Sequence, residues 1–131
     1  MKILDLKNYV IPFKHENHGI VTVEELAQFY SECDMCLVVS GTNLSLLPLE
    51  IMGSNSVAIC SKGENSSWLV NEENAVMVNY DPVEIADTIV YYYNHPEELE
   101  KIRTKGMQFA KNTSWEQEAT KIRDALLEIL G

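Results

Sequence analysis

The sequence predicts an α/β domain, a parallel β-sheet with helices on both faces, on three observations. Short β-rich runs alternate along the chain with stretches of helical periodicity. The two middle runs, MCLVVS and SVAICS, are apolar throughout rather than alternating, as strands covered on both faces are. Most helical stretches open on a capping signal.

In chain order, the first strand is expected over Asn8 to Phe13 (NYVIPF). Thr22, with Glu25 three residues on, opens a helix over 23–33. The second strand runs from Met35 to Ser40, followed by a helix over about 45–54 and a third strand from Ser56 to Ser61. Asn65 to Ser67 cap a short helix over about 65–71, with Trp68 expected in the core, and Ala75 to Tyr80 form the fourth strand. Asp81-Pro82 with Glu84, His95-Pro96, and Ser114 with Gln117 open three closing helices. Each of Thr22, Asp81 and Ser114 has a partner three residues on for reciprocal capping. Trp115, Ala119, Ile122, Leu126, Ile129 and Leu130 make an apolar stripe on the last helix, which is expected to pack back onto the domain. Right-handed crossovers give this order a Rossmann-like arrangement. Ligands in such sheets sit beyond the carboxyl ends of the strands, at residues 14–22, 40–46, 61–66 and 80–82.

At 131 residues the chain holds one domain, 1–131, with no repeat or linker. Its net charge of −10 disfavours nucleic acid, which needs clustered cations. No apolar run approaches the roughly 20 residues of a transmembrane segment. The N-terminus carries charges inside what would be a signal's apolar stretch, and the three cysteines are an odd set. A cytoplasmic protein with free thiols is expected, although Cys33 and Cys36 have C-x-x-C spacing, because here the pair leads into a strand instead of opening a helix.

The segment richest in chemistry follows the second strand. Ser40, Gly41, Thr42 and Asn43 form a small-residue turn into a helix, and the amides near Leu44 to Leu46 face the ligand edge, where they can hold a diphosphate without cations. Glu50 lies on the same helix and reaches the crevice only if that helix lies obliquely across it. His15, Glu16 and His18 lack both H-E-x-x-H spacing and a third ligand, so no metal is expected. Lys62, after the third strand, and Lys14 or His15 are further candidates for contact with a nucleotide. G-x-x-x-x-G-K-[ST], G-x-G-x-x-G and G-x-S-x-G do not occur.

Five successive segments then resemble one family in order and spacing: His18-Gly19, EELAQFYSECDMCLVVS (24–40), LSLLPLEIMGSNSVAIC (44–60), NEENAVMVNYDPVEIADTI (71–89) and SWEQEA (114–119). From about Phe13 to Leu130 the chain is similar to the C-terminal, donor-binding half of GT-B fold glycosyltransferases of the retaining group 1 type and their rhamnosyltransferase-like relatives. The resemblance implies a nucleotide-sugar donor, with Glu50 on the ribose hydroxyls and Thr42, Asn43, Leu44, Ser45 and Leu46 as the loop on sugar and diphosphate. It further implies Val21 and Thr22 near the nucleobase, and no metal or cofactor. The family's first glutamate falls on Thr42; a Thr-Asn-x-Ser sequence is similar to that of some rhamnosyltransferase-like relatives. The family's N-terminal acceptor-binding domain and the basic residues near the diphosphate have no counterpart here. The implied function is donor binding for transfer of a hexose or deoxyhexose to a glycan or similar acceptor, with no catalytic residue nominated in this chain. A non-catalytic Rossmann-like binding or assembly module is the alternative.

Overall fold

The computed structural model describes residues 2–3, by backbone alone, and 16–131. The strand expected at Asn8–Phe13, and with it Lys14 and His15, lies outside the described residues. The main sheet has three parallel strands, β3 (Met35–Val38), β4 (Val57–Ser61) and β5 (Val76–Val78), in the order β3-β4-β5. Met35 stands opposite Val57, and Ile59 opposite Val76. A separate parallel ladder joins β1 (Lys2–Ile3) to β2 (Glu16–Asn17), a pairing the sequence patterns did not suggest.

Successive side chains of a strand point to opposite faces, so β4 feeds two cores. Val57 and Ile59 pack with Val76, Val78 and Leu99. This face is covered by α3 (Pro82–Asn94) and the first half of α4 (Pro96–Lys111), through Ile85, Ile89, Tyr92 and Ile102. Ala58 and Cys60 join a second cluster under α1 (Val23–Ser31) and α2 (Leu47–Gly53), with Tyr30, Ile51 and Met52. Phe109 and Ala110, at the far end of α4, close the same cluster. The expected Rossmann-like layering, with helices on both faces, is therefore present. Each fully buried Val or Ile contributes about 1.5–3 kcal/mol, and β4, buried at every position, is the strand on which both layers depend.

The helix boundaries follow local chemistry. Thr22 caps α1 reciprocally: its Oγ1 accepts from the Glu25 amide at 3.3 Å, and its own amide donates to Glu25 Oε2 at 2.8 Å. Asp81 Oδ1 accepts from the amides of Val83 (2.7 Å) and Glu84 (3.3 Å), but the Glu84 carboxylate turns to Asn79 instead of closing a box. Ser114 Oγ accepts from the Gln117 amide at 3.2 Å, opening α5 (Trp115–Leu130). The second strand of the expected order stops at Val38, two residues early, because the Ser40 backbone turns to the Ser61 hydroxyl. α2 ends in a Schellman turn, with the Asn55 and Ser56 amides donating to Met52 and Ile51 carbonyls while Asn55 takes φ 63°.

Three expectations differ. No helix forms over 65–71: the segment is a series of turns in which the Ser66 and Ser67 hydroxyls donate to the Gly63 and Glu64 carbonyls, competing with helical bonding. Trp68 lies outside the core, 68% exposed, because Leu69 and Val70 fill the buried positions of that turn. The last helix does form, but its stripe is uncovered. Trp115, Ile122, Leu126, Ile129 and Leu130 are each more than half exposed, and no buried residue lies on α5.

Candidate functional site

At the carboxyl ends of β3 and β4 the two following loops are tied together. The Ser61 hydroxyl donates to the Ser40 carbonyl (3.1 Å) and accepts from the Ser40 amide (3.0 Å). Asn65 Nδ2 donates to the Thr42 carbonyl at 3.3 Å, and the Thr42 amide donates to Ser40 Oγ at 3.2 Å. This cross-link fixes the coil after β3 against the coil after β4, at the edge where α/β sheets place their ligands.

Between the loops lies a hollow of about 260 Å³ lined by Asn43, Leu44, Ser45, Asn65, Ser66, Trp68 and Leu69. Asn43 Oδ1 accepts from the Ser45 amide at 2.9 Å, in an Asx turn that holds Ser45 at φ 55°. A left-handed serine is strained, and strain of this kind gathers at ligand-binding loops. Leu44 turns its side chain into the core, 4% exposed, which anchors the loop. α2 begins at Leu47, two residues later than the expected start at 45, with Leu46 at the cap position and no side chain capping it. The Ser45 amide is consumed by Asn43. The amides of Leu44 and Leu46 bond to no described residue.

Glu50 is exposed on the first turn of α2 and lines an adjoining groove of about 710 Å³ with Leu46, Leu49, Phe109, Trp115 and Lys121. Trp68 and Leu69 line both spaces and form the partition between them. The Glu50 charge also reaches α1: burial, then that charge, pushes the Tyr30 phenol upward. Glu50 thus opens onto the groove, while residues 43–45 line the neighbouring hollow.

The structure brings Asn43, Leu44 and Ser45 together in the hollow, with Thr42 at its rim through Asn65, and Leu46 and Glu50 in the groove. Val21 is half-buried and Thr22 is committed to capping α1; neither lines either space. Asn65, Ser66 and Trp68, read from sequence as caps and core, instead form the second wall. Their position after β4, at the carboxyl edge of the sheet, was the available signal. Lys62 is exposed beside them, and its charge helps hold the Glu84 carboxyl below its ordinary range, behind the larger effect of Asn79 hydrogen bonds. Among the described residues no cluster of His, Cys, Asp or Glu is arranged as a metal site, and no helix is long and apolar enough to cross a membrane.

A family model described as glycosyl transferase-like matches residues 6–124. No curated protein matches the chain. Among solved structures, sucrose-phosphate synthase from Thermosynechococcus elongatus aligns over 88% of this chain at 21% identity, with a TM-score of 0.76. HepE from Anabaena, solved in complex with UDP and glucose, aligns over 87% at 15% identity with a TM-score of 0.75. The C-terminal domain of the group 1 glycosyl transferase LpcC from Francisella tularensis aligns over 76% at 21% identity with a TM-score of 0.66. The chain spans 30%, 32% and 53% of those three chains, respectively. With nearly its whole length matched by the family model, and with the parallel sheet and helical layers of these structures, the chain belongs to the glycosyl transferase-like family and carries the fold of the C-terminal domain of group 1 GT-B glycosyltransferases.

Proposed function

We propose that residues 1–131 are a single nucleotide-sugar-binding domain, part of a two-domain cytoplasmic glycosyltransferase that transfers a hexose or deoxyhexose to a glycan or similar acceptor. The observation that carries this reading is the pairing at the carboxyl edge of the sheet. The strained 42–46 coil, pinned to the β4 loop, lies beside a groove into which Glu50 presents a carboxylate. Glu50 accepts hydrogen bonds from the ribose hydroxyls, and the amides at Leu44 and Leu46 face the diphosphate. Val21 and Thr22 would approach the base only from outside the two described spaces. HepE was solved with UDP-glucose, and pneumococcal GtfA with UDP and GlcNAc; both share this fold, which supports a nucleotide-sugar ligand. Free Cys33, Cys36 and Cys60 suit a reducing compartment.

Calorimetric titration with UDP, GDP, ADP and dTDP tests the proposal. One of these is expected to bind, with binding lost in Glu50→Ala and kept in Glu116→Ala, a carboxylate on α5 outside both spaces. A folded sample that binds none of the four supports the non-catalytic module instead.

A further inference from the structure

Among the described strands β5 ends the main sheet, and no described strand pairs with its far side. Val78 stands opposite Ser61, and its carbonyl accepts from the Lys62 amide at 2.8 Å. Backbone groups alternate in direction along a strand, so Val76 and Val78 bond to β4 while the Met77 N–H and C=O point away from it. The outward amides on either side are occupied: Ala75 donates to the Asn71 carbonyl at 3.0 Å, and Asn79 to Glu84 Oε1 at 2.9 Å. Met77 is thus left with an unspent donor and an unspent acceptor at this edge.

Met77 lines a groove of about 920 Å³. One wall carries Glu72, from the turn before β5; the other is α3 with its cap, and holds Asp81, Val83, Glu84, Asp87 and Tyr91. Glu72, Asp81, Glu84 and Asp87 are all carboxylates, and no described cation lines the groove. Lys62 is near enough for its charge to act on Glu84, but it is not part of either wall. Asp81 is spent on capping α3 and Glu84 on Asn79. The Glu72 and Asp87 carboxylates accept no hydrogen bond and join no ion pair among the described residues. Val83, Asp87 and Tyr91 follow one another at four-residue spacing and so share a face of α3, with Val83 69% and Tyr91 44% exposed. The groove has no lining residue in common with the hollow or with the groove at Glu50.

An unpaired edge accepts an added strand, and alternate side chains of that strand would point toward α3. A lysine there would lay its aliphatic stem on Val83 and Tyr91 and bring its ammonium to Asp87. An acidic strand would meet like charge. A small cation would answer the carboxylates and leave the Met77 N–H and C=O unanswered. We infer that the β5 edge is a docking site for an extended, lysine- or arginine-bearing segment of a partner protein, which adds a strand beside Met77 and sets its cations against Glu72 and Asp87. With one edge residue to pair, the contact is small, and charge supplies its selectivity. The inference does not depend on the donor-binding reading.

The probe is an acetylated, amidated hexapeptide alternating lysine and valine, labelled for anisotropy and unlabelled for amide exchange by NMR. It is expected to bind the 131-residue chain and to slow exchange of the Met77 amide several-fold. Binding is expected to weaken as salt rises from about 0.02 M to about 0.3 M, because exposed charges are screened. N-methylation of the central peptide nitrogens removes strand donors and keeps every charge; it is expected to weaken binding about tenfold. Glu72→Gln with Asp87→Asn is expected to weaken it about fivefold, the scale of two exposed ion pairs. Glu116→Gln with Glu128→Gln, on α5, removes the same charge and is expected to change nothing, and an amide spectrum unaltered away from the substitutions shows that each variant is folded. A peptide alternating glutamate and valine is expected not to bind. Undiminished binding of the N-methylated peptide, or Met77 exchange that the probe leaves unchanged, overturns the added strand. Equal loss in the two double variants overturns the groove as the site and assigns binding to net charge. A folded wild type that does not bind the probe overturns the proposal. Nucleotide binding is expected to be the same in Glu72→Gln with Asp87→Asn as in the wild type, so each reading can fail alone.

Discussion

Single residues fix how closely the parts of this domain approach. Gly106, in the middle of α4, is buried against α2: a Cβ there would lie 2.9 Å from the Asn74 carbonyl oxygen and 3.1 Å from Met52 Cγ. The backbone contact cannot give way as a side chain can. Gly106→Ala is therefore expected to destabilise by about 1–3 kcal/mol from overpacking, against a gain of about 1 kcal/mol in helix propensity, read as a lower urea midpoint at unchanged slope. Cys60, in the middle strand, has its thiol pushed up to about 12 by burial, and Cys36 is raised to about 11, chiefly by burial and then by neighbouring Cys33. At pH 8 a thiol reagent is expected to label Cys60 only on unfolding. Labelling of the native protein at Cys60 on the timescale of a free thiol would contradict its place in the core. The sequence showed an apolar strand around Cys60, but nothing in one sequence marked Gly106, because its constraint comes from a carbonyl 32 positions away.

Elements were legible where their signals are local. Thr22, Asp81 and Ser114 each cap the helix that the sequence has them open, because an N-cap needs only the next three amides. Thr22→Ala is expected to cost about 1 kcal/mol, the usual value of an N-cap, measured by thermal or urea unfolding. Glu25 adds a pH signature: its hydrogen bonds to Thr22 hold its carboxyl below the ordinary 4.5. A carboxylate whose folded pKa is depressed contributes stability that is full above its unfolded value and lost as pH falls through the folded one. The stability gap between wild type and Glu25→Ala is thus expected to be constant near neutrality and to close below about pH 4.5; a gap that widens on acidification would contradict the capping box. Capping signals at Asn65 to Ser67 predict a helix over 65–71, but Ser66 and Ser67 bond backwards and leave Trp68 outside. α5 shows the limit of periodicity: a stripe states which face is apolar, not what covers it. Hydrogen exchange is expected to be slowest in β4, buried at every position, and fastest in α5 beyond its first turn. Equal protection of the two would mean that α5 is packed in solution.

At the scale of the whole molecule, acidity and architecture combine. The proposed function leaves the donor to backbone amides, neutral side chains and the Glu50 carboxylate, because the net charge is −10 and, among the described residues, the two spaces contain one lysine, Lys121, in the groove. Transfer also requires cations aimed at the departing diphosphate and a positioned acceptor. The 131-residue chain alone is therefore expected to show no turnover with any nucleotide-sugar and a simple glycan acceptor, and measurable product from it would overturn the division of labour proposed here. The sequence by itself determined the layered α/β class, the three strands of the main sheet with the helices α1 to α5 around them, the N-caps Thr22, Asp81 and Ser114, and the position of the 42–46 coil. All of these depend on hydrophobic period or on bonds spanning a few residues. Only the tertiary structure decided that Asn65 ties the β4 loop to Thr42, that Trp68 stands as a wall instead of a core residue, that Leu44 serves as an anchor, and that Glu50 opens onto the groove next to the hollow. Those facts depend on which loops parallel strands bring side by side, and on the direction a helix takes across them. Distance along the chain does not encode either.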